Sequence, residues 1–241
     1  MMKKLALAVL ATATVGTTQA ATVCVFDLLG ASGESYQQMK EWALQAKSWG
    51  KDVTLKAYTD ERVANEDFKA GKCDAVTITA MRGREYNKFA GSIDSIGGVP
   101  NNKVAQSAIS FALNERNAAK MLSANKRYEI AGIAPMGAAY LFVNDRNINT
   151  VAKAAGKKIA VLDYDQAQKI MVQQIGAQPV SSDVTNFASK FNNGQVDIIG
   201  APAYAYKPLE LQKGLGTKGA MVNFPVLHIT GQLIINPAKF P

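Results

Sequence analysis

The 241 residues include one histidine, two cysteines and no long uninterrupted apolar run. A lone histidine, His228, offers no choice of partners for a His-based catalytic triad and cannot build a multi-histidine metal site. Its expected place is inside a strand. Cys24 and Cys73 do not form a C-x-x-C pair, so redox chemistry is not their reading. If their strands are neighbours in an exported chain, a structural disulfide is favoured over two buried thiols. Gly97-Gly98 and Gly214-Leu215-Gly216 lack the spacing of a phosphate loop and read as turns. The most apolar stretches, Ile130 to Val143 and Met221 to Ile235, are broken by glycine, proline and polar residues and are too interrupted to span a bilayer. An enzyme is not expected, nor is a cofactor or a metal.

What is present begins with an address. Met1-Met2-Lys3-Lys4 is a positive start, Leu5 to Val15 an apolar core, and Thr18-Gln19-Ala20 a small-x-small ending. This pattern predicts a signal peptide over residues 1–20, cleaved after Ala20, with the mature chain in the periplasm. Ala21-Thr22-Val23 ahead of Cys24 lacks the pattern of a lipoprotein signal, so no lipid anchor is expected. Loss of Lys3 and Lys4 lowers the formal net charge from +8 to +6. The remaining lysines are scattered, which describes a solvated basic surface and not a nucleic-acid site.

Beyond the signal, strand-like and helix-like segments alternate. They are Val23 to Leu28, Ser35 to Trp49, Val53 to Tyr58, Glu61 to Ala70 and Asp74 to Thr79. The alternation restarts with Lys158 to Leu162, Asp165 to Ile175, Gln178 to Val180, Val184 to Asn192 and Val196 to Ile199. Two such units predict an α/β fold with parallel pairing. Their closing corners also match: Phe68-Lys-Ala-Gly71-Lys-Cys-Asp74 and Phe191-Asn-Asn-Gly194-Gln-Val-Asp197 both read F-x-x-G-x-x-D. The Phe anchors a helix end, the Gly supplies a left-handed stop, and the Asp opens a buried strand. The extended runs Tyr128 to Val143 and Val222 to Ile235 are then candidate crossings between two lobes, forming a hinge. Lobe one is expected over 21–136, the first crossing and lobe two over 137–230, and a return strand toward lobe one over 231–241.

In a two-lobed α/β design a small solute is met at the carboxyl ends of the strands. That places Asp27, Arg82 and Arg84 of lobe one, Asp163, Tyr164, Tyr204 and Tyr206 of lobe two, and Tyr140 of the crossing among the candidate ligand contacts. Aromatic rings stack on flat or cationic groups, and arginines pair with anions. Each of these residues also has an ordinary packing or surface role available. Asp165, beside Asp163, is accounted for by a helix N-terminus.

The order of the units resembles the periplasmic solute-binding proteins of TRAP-type transporters, the DctP-like family. The resemblance is carried by Gly156-Lys-Lys-Ile-Ala-Val161, Ile175-Gly-Ala-Gln-Pro-Val180, Phe191 to Asp197 and Gly231-Gln-Leu-Ile-Ile235. It implies a type II, two-lobed periplasmic-binding-protein fold, a small-molecule solute, a membrane transporter as partner and a monomeric chain. A closer look-alike is a group of solute-binding proteins, some labelled RND-type efflux or aminoglycoside-resistance components, and this implies an accessory efflux role as the alternative. Two departures stand out. Ala160 occupies the position where the transport family usually has an arginine that pairs with a substrate carboxylate, which leaves a neutral or amine-bearing ligand open. The family also continues past the return strand with helices that pack on lobe one, whereas this sequence stops at Pro241, so a shortened member is expected.

Overall fold

Strand β1 (Ala21–Phe26) starts a sheet that runs through the whole molecule in the computed structural model, which describes residues 20–240. The expected signal peptide lies outside the described residues, apart from Ala20 itself. The other strands are β2 (Val53–Tyr58), β3 (Ala75–Thr79), β4 (Glu129–Val143), β5 (Lys158–Leu162), β6 (Gln178–Ser182), β7 (Ile198–Pro202), β8 (Ala220–Met221) and β9 (Leu227–Ile235). The helices are α1 (Glu34–Ser48), α2 (Glu61–Lys69), α3 (Ala80–Gly83), α4 (Lys88–Gly91), α5 (Asn102–Ala112), α6 (Ala118–Met121), α7 (Val151–Ala154), α8 (Gln166–Gln174), α9 (Phe187–Asn192) and α10 (Gln212–Leu215).

The strand order is β2-β1-β3-β9-β4-β7-β5-β6, with β8 on β4. Each half repeats one plan. In the first, β1 lies between β2 and β3, parallel to both, and β9 joins β3 antiparallel. In the second, β5 lies between β6 and β7, parallel to both, and β4 joins β7 antiparallel. The predicted α/β class and two-lobed architecture are therefore present. β4 pairs with β9 through residues 129–139 and with β7 through 139–143. β9 pairs with β3 only from Gly231 onward. The two longest strands thus belong to both halves. Their shared ladder is interrupted near Pro135 and Gly137, where the register shifts and Gly137 takes φ +104, a bulge that bends the crossing.

The matched corners are built alike. Phe68 and Phe191 are buried, and Gly71 and Gly194 take positive φ at the helix ends. The aspartates do more than open a strand. The Asp74 N–H donates to Thr22 O at 2.8 Å while its Oδ2 accepts from Thr22 N at 2.9 Å. The Asp197 N–H and Oδ2 bond Lys158 O and N in the same way, both at 2.8 Å. Each aspartate therefore fixes the start of the neighbouring strand, β1 or β5, and sets its register.

A disulfide joins Cys24 to Cys73, with Cα atoms 5.8 Å apart. Cys24 sits inside β1, and Cys73 lies on the corner just ahead of β3, so the bond ties the sheet to the end of α2. Two boundaries shift from expectation for a physical reason. The N–H and hydroxyl of Thr185 both donate to Asp183 Oδ1, and Asn186 Oδ1 accepts from Asp183 N. This turn delays α9 to Phe187 and lets β6 run on to Ser182. Separate apolar cores line the two halves, one around Phe26, Val76 and Ile234, the others around Phe142 and Phe191 and around Ile159 and Val172.

Candidate functional site

The turn after β5 reaches across from the second half to the first. Glu61, the first residue of α2, is fully buried. Its Oε1 accepts from Thr79 N at 2.7 Å and Thr79 Oγ1 at 2.6 Å, and its Oε2 accepts from Arg82 Nε at 3.0 Å. The Tyr164 hydroxyl donates to the same Oε2 from the other lobe at 3.3 Å, and the Arg82 guanidinium lies over the Tyr164 ring, 3.9 Å from its centroid. Burial by itself would lower the Arg82 pKa, but the Glu61 carboxylate, aided by Tyr164 and Asp163, raises it on balance and holds the guanidinium charged. Burial, reinforced by Glu61, pushes the Tyr164 phenol well above its usual range.

Beside this cluster runs a second crossing contact. Arg84 Nη1 meets Asp165 Oδ2 at 3.1 Å, while Nε and Nη2 donate to Gly91 O at 3.0 Å and Asp94 O at 2.8 Å. Asp165 also caps α8, its Oδ1 accepting from Gln168 N at 3.1 Å. Arg84 is thus fixed on three sides, and its lobe-two partner is fixed by a helix. Together the two contacts form a latch between the lobes.

Arg82, Arg84, Asp163 and Tyr164 gather at this seam; Asp163 is exposed, and its charge acts on Arg82. Asp27 is placed differently. Its Oδ1 accepts from Leu29 N at 2.8 Å and its Oδ2 from Ser35 N at 2.9 Å, so it serves as a cap for α1 from the end of β1. A Cβ on Gly33 would lie 1.7 Å from that Oδ1, and only glycine leaves room for the carboxylate. Tyr140 packs on the core around Phe142 and Phe191, on the face of β4 opposite Leu141. Tyr206 lies against Phe142 with ring centroids 6.2 Å apart. Tyr204 is exposed at 48%. Burial of its hydroxyl end, then the charges of Asp27, Glu34 and Glu61, pushes its phenol up to about 12.

Next to the seam opens a cavity of about 540 Å³. Phe26, Leu28, Thr79 and Met81 line it from lobe one, Leu227 and Ile229 from the crossing, and strands β4, β5 and β7 with Tyr204 from lobe two. The volume falls in the range of small-molecule sites. Sequence reasoning reached the strand ends that frame this cavity but missed Glu61 and Gly200. Glu61 reads as an ordinary helix-start acid, and only its complete burial marks it out.

Two α/β lobes joined by two shared strands, with a cavity between them, define the fold of periplasmic solute-binding proteins. A TRAP periplasmic solute-binding protein from Desulfovibrio salexigens, solved with bound orotic acid, superposes with a TM-score of 0.73 at 17% identity, covering 91% of this chain and 70% of that one. One from Pseudomonas aeruginosa, with bound L-malate, gives 0.71 at 11% identity, covering 92% and 78%. At these identities the likeness is one of fold. The chain belongs to the solute-binding protein AdeT 1/2 family, whose family model matches residues 38–241. It is 53% identical over 217 residues to the protein named "Probable solute-binding protein AdeT1" of Acinetobacter baumannii, covering 90% of this chain and 71% of that relative. A second relative from the same organism, "Probable solute-binding protein AdeT2", is 36% identical over 151 residues, and the match covers 63% of each chain.

Proposed function

We propose that this chain is a non-enzymatic periplasmic receptor that captures a small solute between its lobes and presents it to a membrane transporter. The observation that carries the reading is the cavity bounded by both lobes and by the strands that cross between them. Membership of a solute-binding family supports it, as does the fold shared with TRAP receptors whose structures hold orotic acid or L-malate. The signal-like pattern of residues 1–20 in the sequence supports export, and no helix among the described residues is long and apolar enough to cross a membrane. In this reading the lobes are residues 21–136 and 137–230 with return strand 231–241, and they hinge near Pro135–Gly137 and Thr230–Gly231. Of the candidate ligand contacts, Tyr204 stands on the cavity wall, whereas Arg82, Arg84, Asp163 and Tyr164 govern closure.

Ligand binding drives closure only through a difference in affinity between open and closed states. A thermal-shift screen of organic acids, amino acids, polyamines, aminoglycosides and uncharged metabolites, followed by calorimetry, tests the proposal. One saturable site per chain is expected for at least one compound class. A folded sample that responds to none of them contradicts receptor function.

A further inference from the structure

We propose that the cavity takes a neutral, largely apolar small molecule in place of the carboxylates bound by the receptors whose fold it shares. The inference rests on the solute-binding reading above and narrows its ligand class. Among the described residues, no Asp, Glu, Lys or Arg lines the cavity. Its floor is one face of the lobe-two sheet, made of Leu141, Val143, Ile159, Val161 and Ile198. Ile96, Val151 and Phe224 stand exposed at its rim.

Gly200 shows that the floor is open. It lies on β7, an inner strand of the sheet, yet its surface is exposed, and a Cβ built there meets nothing within 4 Å. Inner strands normally carry side chains that fill such space. Here a glycine leaves room above the sheet for a ligand's apolar body.

The nearby cations are committed to protein carboxylates. Arg82 is bound to Glu61 and Arg84 to Asp165. A ligand carboxylate in this cavity would be desolvated without a partner, which apolar walls do not compensate. The carboxylates of Asp27, Glu34 and Glu61 that act on Tyr204 also disfavour an anion there. A few polar groups remain to orient a ligand. The hydroxyls of Thr79 and Ser182 are already donated, to Glu61 and to Val180 O. Gln168 accepts from Leu162 N through Oε1, leaving its amide nitrogen as a donor, and the Tyr204 hydroxyl at the rim makes no hydrogen bond among the described residues.

The test uses N-phenyl-1-naphthylamine, a neutral apolar fluorophore, with succinate and spermidine as anionic and cationic probes. Wild-type protein is expected to bind the fluorophore saturably at one site and to ignore the other two. Gly200→Phe places a ring over the open floor and is expected to abolish that site. Gly200→Val, a smaller change suited to a strand, is expected to weaken it by about tenfold, the scale of small steric changes in apolar pockets. Circular dichroism and melting of both variants confirm that they are folded. Fluorophore binding that survives both substitutions places the site elsewhere and overturns the inference. So does tighter binding of succinate or spermidine, which would leave receptor function intact. Silence from all three probes also overturns it, and the wider ligand screen then decides receptor function separately.

Discussion

At Asp94 a carboxylate is held almost out of water by two bonds from the hinge strand, Thr230 N to Oδ2 at 2.9 Å and Thr230 Oγ1 to Oδ1 at 2.6 Å. Burial raises its pKa to about 6 from the ordinary 3.8, against the opposing pull of the Thr230 bonds and of Arg84. The folded state therefore binds a proton more tightly than the unfolded chain does. The resulting stability is complete below the unfolded pKa and is lost as pH rises through about 6. Between pH 4.5 and 7.5 the loss attributable to Asp94 is on the order of 2 kcal/mol. Urea unfolding of wild type and Asp94→Asn at both pH values checks this, and parallel pH trends in the two proteins contradict it. Asp27 gives a contrasting residue-scale prediction, because its bonds go to backbone N–H groups, that of Leu29 in the turn after β1 and that of Ser35 in the first turn of α1. Asp27→Ala is expected to lower stability by about 1–2 kcal/mol, the usual cost of a lost helix cap, while leaving solute affinity unchanged. A selective loss of affinity would instead make Asp27 a ligand contact.

The corners and the disulfide belong to the scale of elements. Cys24 and Cys73 close a loop with a sequence separation of 49, so their bond stabilises the fold by about 4 kcal/mol in the chain-entropy account. Reductant should add two hydrogens to the intact mass and lower the urea midpoint. Two alkylatable thiols in unreduced exported protein would contradict the bond. These elements were legible in the sequence because their signals are local. Strands β2 and β5 run over the anticipated Val53 to Tyr58 and Lys158 to Leu162, and the F-x-x-G-x-x-D corners mark both helix stops. Less was legible between Ala80 and Met121, where short helices alternate with turns and no sustained period marks them. The latch could not be read at all, since Glu61 and Tyr164 lie 103 residues apart and meet only when the lobes do. The bare floor at Gly200 was hidden for a similar reason: a glycine in a strand pattern does not say whether a neighbour fills the space above it.

For the whole molecule, the proposed receptor hinges at its two crossing strands, and the Tyr164–Glu61 and Arg84–Asp165 contacts join the two halves. The Arg84–Asp165 pair is partly solvated, with side-chain exposures of 29% and 13%, so by itself it contributes little more than about 1 kcal/mol. Removing both contacts with Tyr164→Ala and Asp165→Ala should shift the ligand-free protein toward an open state without unfolding it, although Asp165 also caps α8. A solute seated between the lobes would then have to restore closure from its own contacts. The most direct measurement is small-angle X-ray scattering of this double variant, with and without a saturating ligand identified by calorimetry. A two-lobed receptor predicts a radius of gyration above wild type without ligand and a return to the wild-type value with it. A radius that ligand leaves unchanged would contradict capture between the lobes.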